Sequence, residues 1–257
     1  MTARASGGAH TSRTMLLSDL AAVLAACPPA TSRDGYRLAV ADQNVAGKGS
    51  LSSRQRTFRY LCELYWLDAE NPAFRAMRRL WARDPHGRPL IALLVAHAND
   101  KALSATTSGI LSLTPGEAAT ADSLADAIER EFPRNYSPSV QAKIGRNALS
   151  SWTQAGYLAR HGRGPALRQE VAPTPGTVAM ALVLAYLDGL AGERLFDSPH
   201  AHLLDSSSAT LHDRAHDAAR KGWLEYRSRG MVTEVDLSAL VAEPDDPRLL
   251  LDDGAPR

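Results

Sequence analysis

Apolar residues recur at helical intervals along most of the chain, and two short Gly-turned stretches read as hairpins instead. Leu16, Leu20, Val23 and Leu24 mark one face of a helix over residues 14–26, stopped by Pro28-Pro29. The residues before it, 1–13, are small, polar and rich in Gly and Ser, and are expected to be disordered. A second helix opens within KGSLSSRQRTFRYL, residues 48–61. Ser52 and Gln55 have capping-box spacing there, and Phe58, Leu61, Cys62 and Tyr65 form the predicted buried stripe. Asn71-Pro72 is a good helix start, followed by Phe74, Met77, Leu80 and Trp81 on one face. After the turn DPHGRP, residues 84–89, the stretch 90–98 is apolar nearly all round and reads as a buried helix. Thr114-Pro115-Gly116 breaks the chain, and residues 121–132 form another helix.

Ser137-Pro138 then opens a helix running to about Gln154, with Val140, Ile144, Ala148 and Trp152 on its apolar arc. Lys143, Arg146, Asn147 and Ser150 share the opposite face. Gly156-Tyr157-Leu158, a His161-Gly162-Arg163-Gly164 turn and residues 166–171 follow as a hairpin. A helix with a cationic face followed by a basic hairpin predicts a winged-helix-like unit over residues 135–172. Residues 177–190 are strongly apolar, and 208–221 are amphipathic. A second hairpin is expected from residues 223–228 and 231–237. The step Gly-aromatic-Leu thus occurs twice, at Gly156 and Gly222, which suggests two related units. The expected fold is mainly α, a helical bundle with winged-helix-like helix-plus-hairpin units. Its parts are a helical region at 14–134, the unit at 135–172, C-terminal helices with the second hairpin at 173–242, and an acidic tail at 243–257.

Composition narrows the class. The chain has 257 residues, 44 % apolar and 22 % charged, which is enough for a sizeable core. Net charge is +1, so any nucleic-acid signal must come from local clustering. Two cysteines, Cys27 and Cys62, without CxxC spacing give no disulfide framework and fit a reducing cytoplasm. No apolar run is long enough to span a bilayer. Leu24-Ala25-Ala26-Cys27 resembles a lipoprotein processing box, but Asp19 interrupts the apolar region that such a leader needs.

Three candidate chemistries can be weighed on spacing. Ala46-Gly47-Lys48-Gly49-Ser50 is not a phosphate-binding loop: Asp42 replaces its first glycine, and Gly49 separates Lys48 from the hydroxyl that magnesium needs. His212-Asp213-Arg214-Ala215-His216 puts two histidines on one helix face, where they could grip zinc. The aspartate is one methylene shorter than the usual glutamate base, and no clear third ligand follows. No Ser-His-Asp or Cys-His arrangement follows from spacing. The third candidate is the set of cationic clusters: Lys48, Arg54, Arg56 and Arg59; Lys143 with Arg146; and Arg160, Arg163 and Arg168 on the hairpin. Guanidinium groups suit phosphate and guanine, so these clusters, with Asn147 and Ser150, are the candidate DNA-binding residues. Arg54 lies near the edge of the buried stripe, where it is expected instead to pair with a carboxylate and hold the fold.

DQNVAGKGSLSSRQRTFRYL, residues 42–61, resembles the basic N-terminal signature of the BrxA family of BREX phage-defence systems. SPSVQAKIGRNALSSWTQAGYL, residues 137–158, is similar to that family's second signature, a capped helix with a central Lys-x-x-Arg that ends in Gly-aromatic-Leu. The similarity spans roughly residues 16–171. It implies a cytoplasmic, mostly helical, non-enzymatic protein that binds double-stranded DNA without a cofactor. It also implies BREX partners: a large ATPase, an adenine methyltransferase and a phosphatase-like protein. By carry-over, Lys48, Arg54, Arg56 and Arg59 belong to the first signature and Lys143 and Arg146 to the second. The expected function is that of a DNA-binding accessory factor. The alternatives are a structural adaptor without direct DNA contact and a metal-dependent hydrolase using His212 and His216.

Overall fold

The computed structural model describes residues 8–229 and 232–243. The expected mainly α architecture is present. The elements run α1 (Leu17–Ala26), α2 (Arg33–Arg37), a π-helical turn (Leu38–Asp42), α3 (Leu51–Tyr65), α4 (Pro72–Arg83), α5 (Arg88–Asn99), α6 (Lys101–Ser104) and α7 (Thr107–Leu111). Next come β1 (Ala118–Ala119), α8 (Ala121–Glu131), α9 (Pro138–Gln154), β2 (Leu158–Arg160) and β3 (Ala166–Arg168). The chain then forms α10 (Pro175–Leu187), a 3-10 turn (Gly192–Leu195), α11 (Pro199–His202), α12 (Ser208–Arg220), β4 (Glu225–Arg229), β5 (Val232–Asp236) and α13 (Ser238–Val241).

α10 lies at the centre because it has no polar face: every residue from Gly176 to Ala185 is buried. α4, α5, α11 and α12 pack around it. Thr174 and Thr177 form a reciprocal capping box at its start. The buried Asp84 carboxylate also accepts from Thr174 Oγ1 at 2.5 Å and Gly176 N–H at 2.9 Å. An anion at a helix N-terminus is favoured by the helix dipole, so this buried charge has partners on the spot.

Four arginines join helix ends to the core. Arg78 donates to the Leu24 and Cys27 carbonyls at the end of α1, at 2.7 Å each. Arg75 and Arg79 donate to carbonyls of residues 239–242 around α13, and Arg88 donates to Trp81 O. Carbonyls at helix C-termini lack intrahelical donors, and guanidinium groups fill that role.

The first helix–hairpin unit is larger than the expected 135–172 span. β1 pairs with β3, and β3 pairs with β2, so the antiparallel sheet has the order β1-β3-β2. The path α7-β1-α8-α9-β2-β3 around that sheet is winged-helix topology. α8 and α9 approach closely because position 145 is Gly. A Cβ there would lie 2.2 Å from the Ala121 carbonyl oxygen. In the second unit α12 leads to the two-stranded sheet β4-β5, and the 3-10 turn packs against β5. The tip of that hairpin, residues 230 and 231, lies outside the described residues. Gly156 and Gly222 end their helices at φ 88° and 70°, a left-handed conformation that glycine adopts without strain. Tyr157 and Trp223, which follow them, are both buried.

Three expectations need correction. Residues 8–13 are packed, not loose: His10 is fully buried, and residues 9–11 form a 3-10 turn. Residues 1–7 lie outside the described set, as does the expected acidic tail apart from Glu243, which pairs with Arg75 at 3.5 Å. The cap of α3 is Ser50, whose hydroxyl accepts from Ser53 N–H, and not Ser52. The stripe of α3 is also rotated. Leu61 and Tyr65 are buried as expected, but Tyr60 and Leu64 complete the face, while Phe58 and Cys62 are only half-buried.

Candidate nucleic-acid interface

The eleven candidate residues divide sharply. Lys48 does not face solvent as a free cation: its Nζ lies 2.7 Å from Asp19 Oδ1 and ties α3's entry to α1. Arg54 donates to the Ala41 and Asp42 carbonyls at 3.4 Å, capping the π-helical turn. It therefore holds the fold, through carbonyls rather than a carboxylate. Arg168 is a correction. It is 1 % exposed, pairs with Asp205, bonds Gln169 O, and lies 4.9 Å from the Tyr157 ring centroid. Strand alternation explains why, since Arg168 shares the inward face of β3 with the buried Ala166. Asn147 also turns inward, donating to the His10 carbonyl at 2.8 Å.

The rest stay on the surface. Arg56 is exposed, with its Nε on Ser52 O. Arg59 is exposed and lies over the Tyr60 ring, with Glu63 one turn away at 3.5 Å. Lys143, Arg146, Arg160 and Arg163 are all exposed and make no ion pair among the described residues. Residues 138–169 contain no Asp or Glu at all. The acids of this unit precede that stretch in the chain: Glu117 accepts from Thr114 N–H before β1, and on α8 Gln141 and the Arg134 N–H hold Glu129.

α9 and the hairpin enclose an open groove of about 760 Å³. Arg146, Ser150 and Thr153 line it from α9, Arg160 and Pro165 from the hairpin, and Thr120 from the start of α8. The structure thus brings Arg146, Ser150 and Arg160 together around one opening, with Lys143 one turn away on α9. Arg56 and Arg59 stand on a separate helix, α3.

Spacing gave no sign of the network that holds α9 in place. His10 Nδ1 is 2.9 Å from Asp100 Oδ2, and His10 Nε2 is 2.8 Å from Ser151 Oγ. These residues are 90 and 141 positions from His10 in sequence. Ser151 Oγ also accepts from Met15 N–H and donates to Asn147 O. All three side chains are buried, and the serine oxygen is fully engaged, so the relay is a staple between the N-terminal strap, α6 and α9. Burial alone would raise the Asp100 carboxyl. The hydrogen bonds and charge of His10 outweigh it and hold that group below the usual carboxylate range.

Of the two histidines of the zinc reading, His216 is exposed with its ring edge-on to Tyr226, and His212 is engaged elsewhere. His212 places Nδ1 2.8 Å from Tyr226 Oη and Nε2 3.0 Å from Glu193 Oε1, and it stacks on Phe196. Upstream in the chain, His200 pairs with Asp188, and Asp205 with Arg168. Among the described residues, no three His, Cys, Asp or Glu side chains gather as a metal set. Among the same residues, no helix is long and apolar enough to cross a membrane. In comparisons with known proteins, neither a family model nor a curated protein matches the chain.

Proposed function

We propose that the protein binds double-stranded DNA through its first winged-helix unit, as a non-enzymatic accessory factor of a BREX-type phage-defence system. One observation carries the DNA reading. Lys143, Arg146, Arg160 and Arg163 are exposed and unpaired in a segment without a single carboxylate, and Arg146 and Arg160 line one groove between α9 and the hairpin. Lys48, Arg54, Arg75, Arg78 and Arg168, by contrast, are tied to carbonyls or acids of the fold. A winged helix presents such a face to duplex DNA by laying its last helix toward a groove and its hairpin on the backbone. The resemblance to BrxA at residues 42–61 and 137–158 supports the assignment to phage defence, in the cytoplasm beside the ATPase, methyltransferase and phosphatase-like partners.

A labelled duplex titrated by fluorescence anisotropy at several salt concentrations tests this. With about six phosphate contacts, log K should fall with log salt at a slope near −5. No binding at low salt, together with capture of a BREX protein on the same face, would assign α9 to an adaptor instead.

A further inference from the structure

The N-terminal strap adds a second wall to this surface, an inference that rests on the DNA reading above. Successive helix positions are 100° apart, so α9 has two distinct flanks. Arg146, Leu149 and Thr153 form the flank toward the hairpin. Asn147, Ser151 and Gln154 form the other, and the strap runs along them. Asn147 bonds His10 O, Ser151 bonds His10 Nε2 and Met15 N–H, and Gln154 accepts from Leu17 N–H at 3.3 Å. Lys143 and Ser150 lie on the solvent-facing crest between the flanks.

The strap also touches α3. The Tyr65 hydroxyl donates to Met15 O at 2.5 Å. The Arg13 guanidinium lies 5.9 Å from the Tyr60 ring centroid, and that of Arg59 lies 4.6 Å from it. Tyr60 itself is 7 % exposed, so the ring is a fixed platform carrying two neighbouring charges. Arg59, which belongs by sequence to a distant cluster, is thereby placed beside the α9 unit.

We propose that Arg13 and Arg59, gathered over Tyr60, form a phosphate clamp on the strap side of α9. In this arrangement they hold the DNA backbone on one side of the groove that α9 faces, and Arg160 and Arg163 hold it on the other. The partner chemistry is the phosphodiester backbone of a duplex, since guanidinium pairs on both flanks match the two strands bordering a groove and read no base. The strap is stapled at His10, so the clamp is ordered before DNA arrives.

The test compares full-length wild type with Arg13→Gln/Arg59→Gln, Arg160→Gln/Arg163→Gln and Arg13→Lys/Arg59→Lys, using a 30-base-pair labelled duplex over a salt series. Each Gln pair should reduce the salt slope by about 2 and weaken binding by roughly tenfold or more, equally for unrelated sequences. The Lys pair should keep the slope. Melting temperatures within a degree or two of wild type would show that the strap stays packed. If Arg13→Gln/Arg59→Gln keeps the wild-type slope while Arg160→Gln/Arg163→Gln loses two contacts, the clamp is absent and the DNA reading stands. If the wild type itself shows no salt-dependent duplex binding, both fall together.

Discussion

Counted back from the shared Gly-aromatic-Leu step, the α9 positions Lys143, Arg146, Asn147 and Ser150 correspond in α12 to Ala209, His212, Asp213 and His216. The two units follow a similar path of helix, left-handed glycine, buried aromatic and hairpin. Their surfaces differ. Residues 138–169 carry five Lys or Arg and no acid, whereas 208–236 carry five of each sign. Asp217 alone engages both Arg214 and Arg220, and Arg227 pairs with Glu225. A chain path alone therefore does not define a DNA-binding surface; in the proposed function the difference lies in the unpaired cations on that path.

The largest expected difference between the units is in stability. His10→Ala removes the imidazole from Asp100 and Ser151, leaving the buried Asp100 only its backbone donors, and should lower stability by about 3 kcal/mol, with α9 losing its staple. His212→Ala removes a half-exposed contact and should lower it by about 1 kcal/mol at most. Equal losses in chemical denaturation would mean that the relay is not what anchors α9.

Affinity should separate the units next. Lys143→Glu with Arg146→Glu should weaken duplex binding about 100-fold at moderate salt, with an unchanged melting temperature. Arg214→Glu with Arg220→Glu should change affinity by no more than about twofold. The melting temperature is the control that separates lost contacts from lost folding.

Acid should lower stability through two groups, His97 of α5, whose Nε2 lies 2.7 Å from Thr107 Oγ1 of α7, and Asp100 of the relay. Burial, reinforced by the His200 charge, pushes His97 down to about 4. The unfolded chain then binds the proton first, so stability is full above about pH 6.5 and falls as pH drops from there toward 4. Asp100, held low, adds a loss that begins at still lower pH, where the unfolded carboxyl takes up a proton first, and is complete once the folded carboxyl is protonated too. Denaturation midpoints between pH 7 and 4 check this, and His97→Gln should flatten the upper part of the profile. A flat wild-type profile would contradict it.

The smallest effect is expected at Asp217. Asp217→Asn frees Arg214 and Arg220 on a helix that does not meet the duplex, and should leave affinity within about twofold of wild type. A clear gain in affinity would show that α12 does reach the DNA.

Much of this architecture was legible in the sequence because period and punctuation state it directly. The Asn71-Pro72 start, the all-apolar α10 and the hairpin after Gly156 follow from local chemistry. β1 escaped notice because two alanines show no alternation, and only pairing with β3 makes them a strand. The residues from 33 to 42 carry a helix whose π-helical turn spoils the usual spacing. At the site, Arg168 could have been recognised as inward-facing from its parity with Ala166. Lys48 could not, because Asp19 is distant in sequence and only the fold brings the two together. The His10–Asp100–Ser151 relay was invisible for the same reason.

The central claim is that the first unit meets the duplex and the second does not. Amide hydrogen exchange of the full-length protein, with and without saturating duplex DNA, tests it most directly. The account predicts slowed exchange in residues 138–168 and around Arg13, with residues 208–229 and 232–236 unchanged. Protection confined to the second unit, or none in α9 and its hairpin under conditions of demonstrated binding, would contradict it.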